Sequence, residues 1–180
     1  MKRRALLAVL ALPMLPAAAL PGVAADWQVV NDGVMGGVSS AQVAATADGA
    51  LRFSGVVRLD YNGGFASARR AATLPAGATG LAVSARGDGN RYRLTVFTRD
   101  ARSGSRQPFM YYAVFTAGDG TRTELRFTEF RASFRGRPVP DAPPLAAADV
   151  IGIGLMITKA EHAAGSGAFA MELLAVEPLR

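Results

Sequence analysis

The chain has 180 residues, a formal net charge of +6 at pH 7, one histidine and no cysteine. The missing cysteines exclude disulfides, thiol nucleophiles and cysteine-ligated metals, and a lone histidine excludes a two-histidine zinc or iron centre. Half of the net charge lies in Lys2, Arg3 and Arg4, so the rest of the chain is weakly basic and we predict no binding to nucleic acid.

The first 25 residues have the pattern of a secretory signal peptide. Three basic residues precede an apolar run, residues 5–20, and Val23-Ala24-Ala25 fits the small-residue rule for signal peptidase. We expect cleavage after Ala25 and export to a bacterial periplasm through the Sec route, while Arg3-Arg4 leaves the twin-arginine route open. Pro13 and Pro16 interrupt the apolar run and Pro21 follows it, which makes an uncleaved anchor the weaker alternative. We therefore predict no stable membrane anchor after cleavage.

From Trp27 onward, short runs with a period of two are separated by Gly, Pro, Asn and Asp. The alternating runs at residues 51–58, 81–86 and 91–96 predict strands with one buried face. The runs 109–115 and 150–157 are apolar at successive positions and predict central strands covered on both faces. Glycines before residues 168–176 and Pro178 after them favour a last strand. The pattern predicts one all-β domain, residues 26–180, built as an antiparallel β-sandwich or jelly roll.

One long connection interrupts the predicted strands. Residues 135–145 contain four prolines and predict an irregular loop, followed by a short helical turn at residues 146–149. A linker between two domains is the alternative, but the two strands that follow could not bury themselves alone.

Three segments, residues 26–40, 62–69 and 86–92, combine glycines with Asn, with or without Asp, and an aromatic residue. Glycine permits positive φ and close chain approach, while Asn and Asp hydrogen-bond their own turns, so each segment predicts a shaped loop. The third segment predicts a hairpin, and its Arg-Gly-Asp and Gly-x-Gly are interpreted as parts of that turn. The predicted structural glycines are Gly33, Gly36, Gly37, Gly63, Gly64, Gly87 and Gly89.

The sequence contains no pattern of catalytic residues. His162 lies in a polar, glycine-bearing stretch, residues 159–167, which predicts a hairpin with an exposed histidine and has no nucleophile signature. Two carboxylates could still hydrolyse a glycosidic bond, but acids in turns usually hydrogen-bond the local backbone. We predict no catalytic residue, no metal and no cofactor. The acids considered for a carboxylate pair are Asp32, Asp60, Asp88, Glu124, Glu129 and Glu172.

The three glycine-rich segments, in this order and spacing, resemble the complex I intermediate-associated protein 30 family. Further matches are Phe53-Ser54-Gly55, residues 125–130, Arg135-Gly136-Arg137, Ala142-Pro143, residues 153–156 and residues 167–169. Two departures stand out: Arg126 replaces a frequent proline, and the tryptophan common shortly before it has no counterpart. The resemblance implies a galactose-binding-like jelly roll over the whole mature chain.

The resemblance also implies a chaperone-type protein without catalytic activity, since the namesake members help to assemble respiratory complex I. Export would separate this chain from that assembly, so we predict a non-enzymatic binding domain with an unidentified protein client. The alternatives are a carbohydrate-binding module with a glycan ligand and a hydrolase using paired carboxylates. The residues predicted for recognition are Asn31, Asp32, Asn62, Arg69, Arg86, Asp88 and Tyr92.

An equally weighted alternative is that these residues hold the loops against one another and against Trp27. If they do bind a partner, replacing Asp32 or Arg86 should abolish binding without lowering the melting temperature.

Overall fold

The computed structural model describes residues 23–99 and 109–180, and most of the predicted signal peptide, residues 1–22, lies outside the described residues. The described strands form two antiparallel sheets. The seven-stranded sheet contains, in spatial order, β1 (Gln28–Asn31), β4 (Phe65–Ala71), β11 (Val150–Thr158), β6 (Arg91–Thr98), β7 (Met110–Thr116), β9 (Arg131–Phe134) and β10 (Arg137–Pro138). The five-stranded sheet contains β2 (Ser40–Ala45), β3 (Leu51–Val57), β12 (Gly167–Leu179), β5 (Gly80–Gly87) and β8 (Asp119–Arg126). The predicted antiparallel sandwich is confirmed.

Helical structure in the described residues is limited to short 3-10 turns at Asp32–Met35, Asp60–Asn62, Phe127–Glu129 and Ala147–Asp149. The last of these confirms the turn predicted after the proline-rich loop. None of the helices in residues 23–99 and 109–180 has the length and hydropathy needed to cross a membrane.

The core lies between the sheets and is formed by the inward positions of the alternating strands. Its centre is aromatic: Phe53 on β3 packs against Tyr92 on β6 and Phe169 on β12, with ring centroids 6.4 and 5.0 Å apart. Phe115 on β7 stacks on Tyr92 at 6.2 Å. Burial of such large side chains is the main stabilising term in a chain without disulfides.

Both predicted hairpins are wrong. β5 pairs with β12 and β8 in one sheet, whereas β6 pairs with β11 and β7 in the other, so residues 87–90 cross the sandwich. The connection from β11 to β12 crosses in the same way. Turn chemistry and alternation predict where a strand ends and which face it buries, but they do not identify its hydrogen-bonding neighbour.

The two runs predicted to be covered on both faces differ. On β11 the outward positions include Gly152 and Gly154, and the half-buried ring of Phe97 lies along them: a Cβ at Gly154 would be 3.2 Å from Phe97 Cε2. On β7 the prediction is wrong, because Val114 faces outward and is exposed.

The proline-rich segment is not irregular throughout. Arg135 and Gly136 have φ values of 47° and 79° and form the turn between β9 and β10, which pair as a short hairpin. The irregular part begins after Pro138.

Candidate functional site

The three glycine-rich segments converge on one end of the sandwich, where each connects a strand of one sheet to a strand of the other. Hydrogen bonds link neighbouring connections. The amide of Gly64 donates to Asp32 Oδ2 at 2.8 Å, and the Gly64 carbonyl accepts from Lys159 N at 2.8 Å. In the β11–β12 connection, Ala163 N donates to Asn90 Oδ1 at 2.8 Å. The connections therefore form a continuous, mutually braced surface.

Asp32 ties the first two connections together. Its side chain is 1% exposed, and its carboxylate accepts hydrogen bonds from Ser39 N (2.9 Å), Ser39 Oγ (2.5 Å), Gly64 N (2.8 Å) and Phe65 N (3.4 Å). Burial alone would raise the pKa of Asp32, but the hydrogen bonds outweigh it and hold the pKa below 3.8. The carboxylate is thus a structural anchor with its oxygens already used.

Two of the predicted loop glycines make room for this carboxylate. A Cβ at Gly37 would lie 2.4 Å from Asp32 Cγ, and a Cβ at Gly63 would lie 2.7 Å from Asp32 Oδ2. Both distances are shorter than any tolerable contact. One glycine of each doublet is therefore explained by close approach to Asp32, and the other, Gly36 or Gly64, by its positive φ of 89° or 133°.

The second connection presents an aromatic side chain on an unusual backbone. Tyr61 and Asn62 have φ values of 54° and 62°, in the left-handed region that residues with a Cβ avoid. The turn is held by Gly63 N donating to Asp60 O at 2.9 Å and by an Arg58–Asp60 ion pair of 3.1 Å. The Tyr61 side chain is 77% exposed and contributes nothing to the core. Strained backbone that projects an exposed aromatic residue is typical of a functional position.

The braced connections carry a group of exposed apolar side chains, which we call the loop patch. Its members and their exposed fractions are Val34 (73%), Met35 (54%), Val38 (43%), Leu59 (51%) and Tyr61 (77%). Large apolar side chains gathered on an ordered surface mark interaction sites. These residues are not among the predicted recognition residues, which were chosen for their polar groups. The apolar Val34-Met35 pair between glycines is the sequence feature that could have identified the patch.

The third glycine-rich segment is braced by Asp88. Its carboxylate accepts from Ala170 N (2.8 Å), Asn90 N (3.0 Å), Asn90 Nδ2 (2.8 Å) and the Tyr92 hydroxyl (2.9 Å). Burial would raise the pKa of Asp88, yet these bonds hold it below its usual value. Tyr92 is fully buried, and burial followed by the Asp88 charge raises its pKa. Its ring packs in the core, and its hydroxyl group stabilises the turn by donating a hydrogen bond to Asp88.

The other residues predicted for recognition are spread over the molecule. Asn31 is half-buried at the end of β1, Asn62 is exposed beside Tyr61, and Arg69 is exposed on the outer face of β4. Arg86 lies on the outer face of the five-stranded sheet, where Nη2 donates to Asp48 Oδ2 at 2.8 Å and Nε to Glu172 Oε2 at 2.7 Å. The seven residues do not form one surface, and their recognition role stays a prediction.

The prediction of an exposed His162 is wrong, because the side chain is 9% exposed. Its Nε2 donates to Ala168 O at 3.1 Å and its Nδ1 accepts from Ala164 N at 3.2 Å. Since the connection between β11 and β12 folds back on itself, the imidazole fills the turn. His162 closes the loop and does not face solvent.

The described residues offer little for catalysis. No group of three or more His, Asp or Glu side chains in residues 23–99 and 109–180 is placed to hold a metal ion. Each Asp in that part of the chain with a clear pKa shift has its pKa lowered, whereas a general acid needs a raised pKa. These residues are Asp32, Asp48, Asp60, Asp88 and Asp119.

Two sheets with these crossovers define a galactose-binding-like jelly roll, and solved structures share it. A family 11 carbohydrate-binding module of the cellulosomal cellulase Lic26A-Cel5E of Clostridium thermocellum aligns with a TM-score of 0.58 and 16% identity over 88% of this chain and 93% of that chain. The family 11 module from Clostridium thermocellum in complex with a β-1,3-1,4-mixed-linked tetrasaccharide gives a TM-score of 0.57 and 16% identity over 86% and 89%. At this identity the likeness shows the fold.

The family follows from the sequence itself. Residues 20–173 match the model of the complex I intermediate-associated protein 30 (CIA30) family, and the chain belongs to that family. The resemblance carried by the glycine-rich segments is confirmed. No curated protein sequence matches the chain.

Proposed function

We propose that this protein is a non-catalytic binding domain whose loop patch docks an apolar segment of a client protein. The observation that supports this proposal most strongly is that five exposed apolar side chains lie on connections held in place by the buried Asp32 carboxylate. Because hydrogen bonds already fix the backbone of these connections, binding costs little loop-ordering entropy, which makes such a patch efficient. The family description, which names association with a complex I intermediate, supports a protein client.

A protein client suits the patch better than a lipid surface. Binding to anionic lipid needs basic side chains beside the apolar ones. Within the second connection Arg58 is paired with Asp60 at 3.1 Å, so its charge is already balanced. One basic side chain, Lys159, lies beside Leu59 at Gly64, and a single cation gives only weak attraction to an anionic membrane.

A hydrolase with paired carboxylates receives no support from the ion pairs. Asp48 and Glu172 both bond to Arg86, and Glu124 and Glu177 both bond to Arg122. Each of these acids is already engaged by an arginine, so neither pair presents two free carboxyl groups to a glycosidic bond. This arrangement favours a non-enzymatic role.

Carbohydrate binding is the second candidate, and a different surface favours it. On the outer face of the seven-stranded sheet, Phe97 and Tyr112 are half-buried, and the Tyr112 hydroxyl has no hydrogen-bond partner among the described residues. Half-exposed rings beside free hydrogen-bonding groups are suited to sugars. The solved module of this fold that holds a tetrasaccharide adds support by analogy.

Export to a bacterial periplasm is also proposed, on the sequence alone. The expected product of signal cleavage begins at Asp26, and amino-terminal sequencing of the chain recovered from the periplasm tests this. Recovery of the chain from the cytoplasm with residues 1–25 intact would contradict it.

The experiment for client binding uses site-specific photo-crosslinking in living cells. The photoreactive amino acid p-benzoylphenylalanine replaces Tyr61 in one variant and Arg122, on the opposite side of the molecule, in the control. We expect position 61 to give a discrete cross-linked protein that position 122 does not give. The captured protein is then purified and its affinity measured against the wild-type chain.

Equal cross-linking from both positions, or cross-linking from position 61 to lipid, would contradict the proposal. Vesicles of phosphatidylglycerol provide the lipid control. Retention of the purified chain on them at moderate salt, lost with Leu59→Ser, would assign the loop patch to a membrane instead.

A further inference from the structure

A row of side chains with free polar groups crosses the outer face of the seven-stranded sheet. Strand register places six residues side by side on β1, β4, β11, β6, β7 and β9. Gly154 and Thr95 form the centre, where the Thr95 side chain is 2% exposed, and the polar side chains of the other four residues stand on either side. In order across the sheet, these residues are Gln28, Arg69, Gly154, Thr95, Tyr112 and Arg131.

Three arginines of the opposite face are ion-paired, while a fourth, Arg126 on β8, has no carboxylate within ion-pair distance in the described residues. On the five-stranded sheet, Arg52, Arg86 and Arg122 each have a carboxylate partner between 2.5 and 3.4 Å away. Arg69 and Arg131 are exposed, and neither has a carboxylate within ion-pair distance in residues 23–99 and 109–180. The row therefore carries two cations whose charge the protein leaves uncompensated.

Tyr112, between these cations, is held in place from one side. The guanidinium carbon of Arg93 lies 4.2 Å from the Tyr112 ring centroid, and Arg93 Nη2 is fixed by Glu161 Oε1 at 2.9 Å. A cation–π contact to an anchored arginine restricts the ring. The free hydroxyl is thereby presented in a defined position.

A depression of about 530 Å³ lies beside Tyr112 and is lined by Arg91, Arg131 and Glu129 among others. Glu129 is a carboxylate in this depression, and its Oε2 accepts from Arg126 N at 2.6 Å. With two guanidinium groups and one partly engaged carboxylate, the depression has a net positive charge. It can accept a negatively charged group.

We propose that this row binds an acidic oligosaccharide, with uronate carboxylates on Arg69 and Arg131 and hydroxyls on Gln28 and Tyr112. The inference rests on the carbohydrate-binding candidate and names its ligand class. Arg69 and Arg131 stand four strands apart, about 19 Å at a strand spacing of about 4.8 Å. Widely spaced cations, each beside a neutral hydrogen-bonding side chain (Gln28 beside Arg69 and Tyr112 beside Arg131), match a chain of sugars with carboxylates at intervals. The planar guanidinium pairs with a carboxylate through two parallel bonds.

The test measures binding of the purified chain by calorimetry to short fragments of polygalacturonate, alginate and heparin. The same galacturonate fragments with methyl-esterified carboxyls provide a neutral ligand of matched shape. We expect at least one acidic fragment to bind roughly tenfold or more tightly than its neutral match, since charge-assisted hydrogen bonds are the strong ones. Arg69→Gln and Arg131→Gln should each lower that affinity by about tenfold, whereas Arg122→Gln on the opposite face should not change it.

Distinct outcomes separate this inference from the candidate function on which it rests. Equal binding of esterified and free fragments would overturn the acidic ligand and leave carbohydrate binding standing. No binding of any fragment, acidic or neutral, would overturn both. Tighter binding of single-stranded DNA, or an equal loss with Arg122→Gln, would show nonspecific attraction and contradict the proposed row.

Discussion

Asp32 shows how a single side chain can fix the shape of a surface without belonging to it. Four hydrogen bonds reach its buried carboxylate from Ser39, Gly64 and Phe65. The expectation that Asp32 could be replaced without a loss of stability does not fit this environment. A recognition test that used Asp32 would measure unfolding of the loops together with any lost contact.

We predict that Asp32→Asn lowers the free energy of unfolding by about 2–4 kcal/mol, because one carboxylate oxygen becomes an amide donor that faces backbone donors. Urea unfolding followed by circular dichroism measures it. Asp141→Asn, at an exposed position, is the control and should change stability by less than about 0.5 kcal/mol. Equal stability of both variants would contradict the role assigned to Asp32.

The same carboxylates give stability a defined pH dependence. The pKa values of Asp32 and Asp88 are lower in the folded chain than the usual 3.8. Their contribution is therefore complete above the unfolded pKa, about 3.9, and is lost as pH falls through the lowered folded pKa. We expect the urea concentration at the unfolding midpoint to decrease as the pH is lowered below about 4. The decrease should be smaller in Asp32→Asn. A midpoint independent of pH down to pH 3 would contradict this.

Strand β11 depends on the absence of side chains at its outward positions. A Cβ at Gly154 would lie 2.5 Å from Thr95 Oγ1 and 2.8 Å from the Ala68 carbonyl oxygen, which belongs to a paired strand and cannot retreat. We predict that Gly154→Ala destabilises the fold by about 1–3 kcal/mol. Gly33→Ala has open space and no positive φ, so thermal unfolding should shift much less. Similar shifts for both variants would refute the argument.

At the level of elements, the sequence predicted the strands better than their partners. Alternation at residues 81–86 and 91–96 correctly indicates two strands and their inward positions, because these follow directly from the pleat, although the outward Ala82 and Thr95 are buried as well. The turn between them has the local pattern of a hairpin, and that prediction is wrong. Asp88 instead accepts a hydrogen bond from Ala170, on a strand far away in sequence. Such long-range pairing leaves no local signal.

The candidate site was predictable in its location but not in its chemistry. The glycines at residues 33–37 and 63–64 correctly indicated shaped loops, and these loops converge. Asp32 and Tyr92 were selected as polar recognition groups, yet both side chains are buried. Val34 and Leu59 were passed over, because exposure of an apolar side chain depends on how the two loops are braced. The hydrogen bonds that brace the two loops can be identified only from the structure.

The whole molecule is a jelly roll with two distinct surfaces. The loop patch offers apolar contact at one end, and the outer face of the seven-stranded sheet offers uncompensated cations. Because different strands and connections form them, each surface should be removable without loss of the other. We expect Tyr61→Asn to leave oligosaccharide binding unchanged and Arg131→Gln to leave client binding unchanged.

The affinity of the cross-linked client, once purified, for the wild-type chain and for Tyr61→Asn tests the central claim most directly. Asparagine tolerates the left-handed backbone at position 61, so this variant removes the aromatic side chain without straining the loop. We predict an unchanged or higher melting temperature and an affinity lower by about tenfold or more, as for an exposed aromatic anchor of an interface. An unchanged affinity in a folded Tyr61→Asn variant would contradict the assignment of the loop patch as the binding surface.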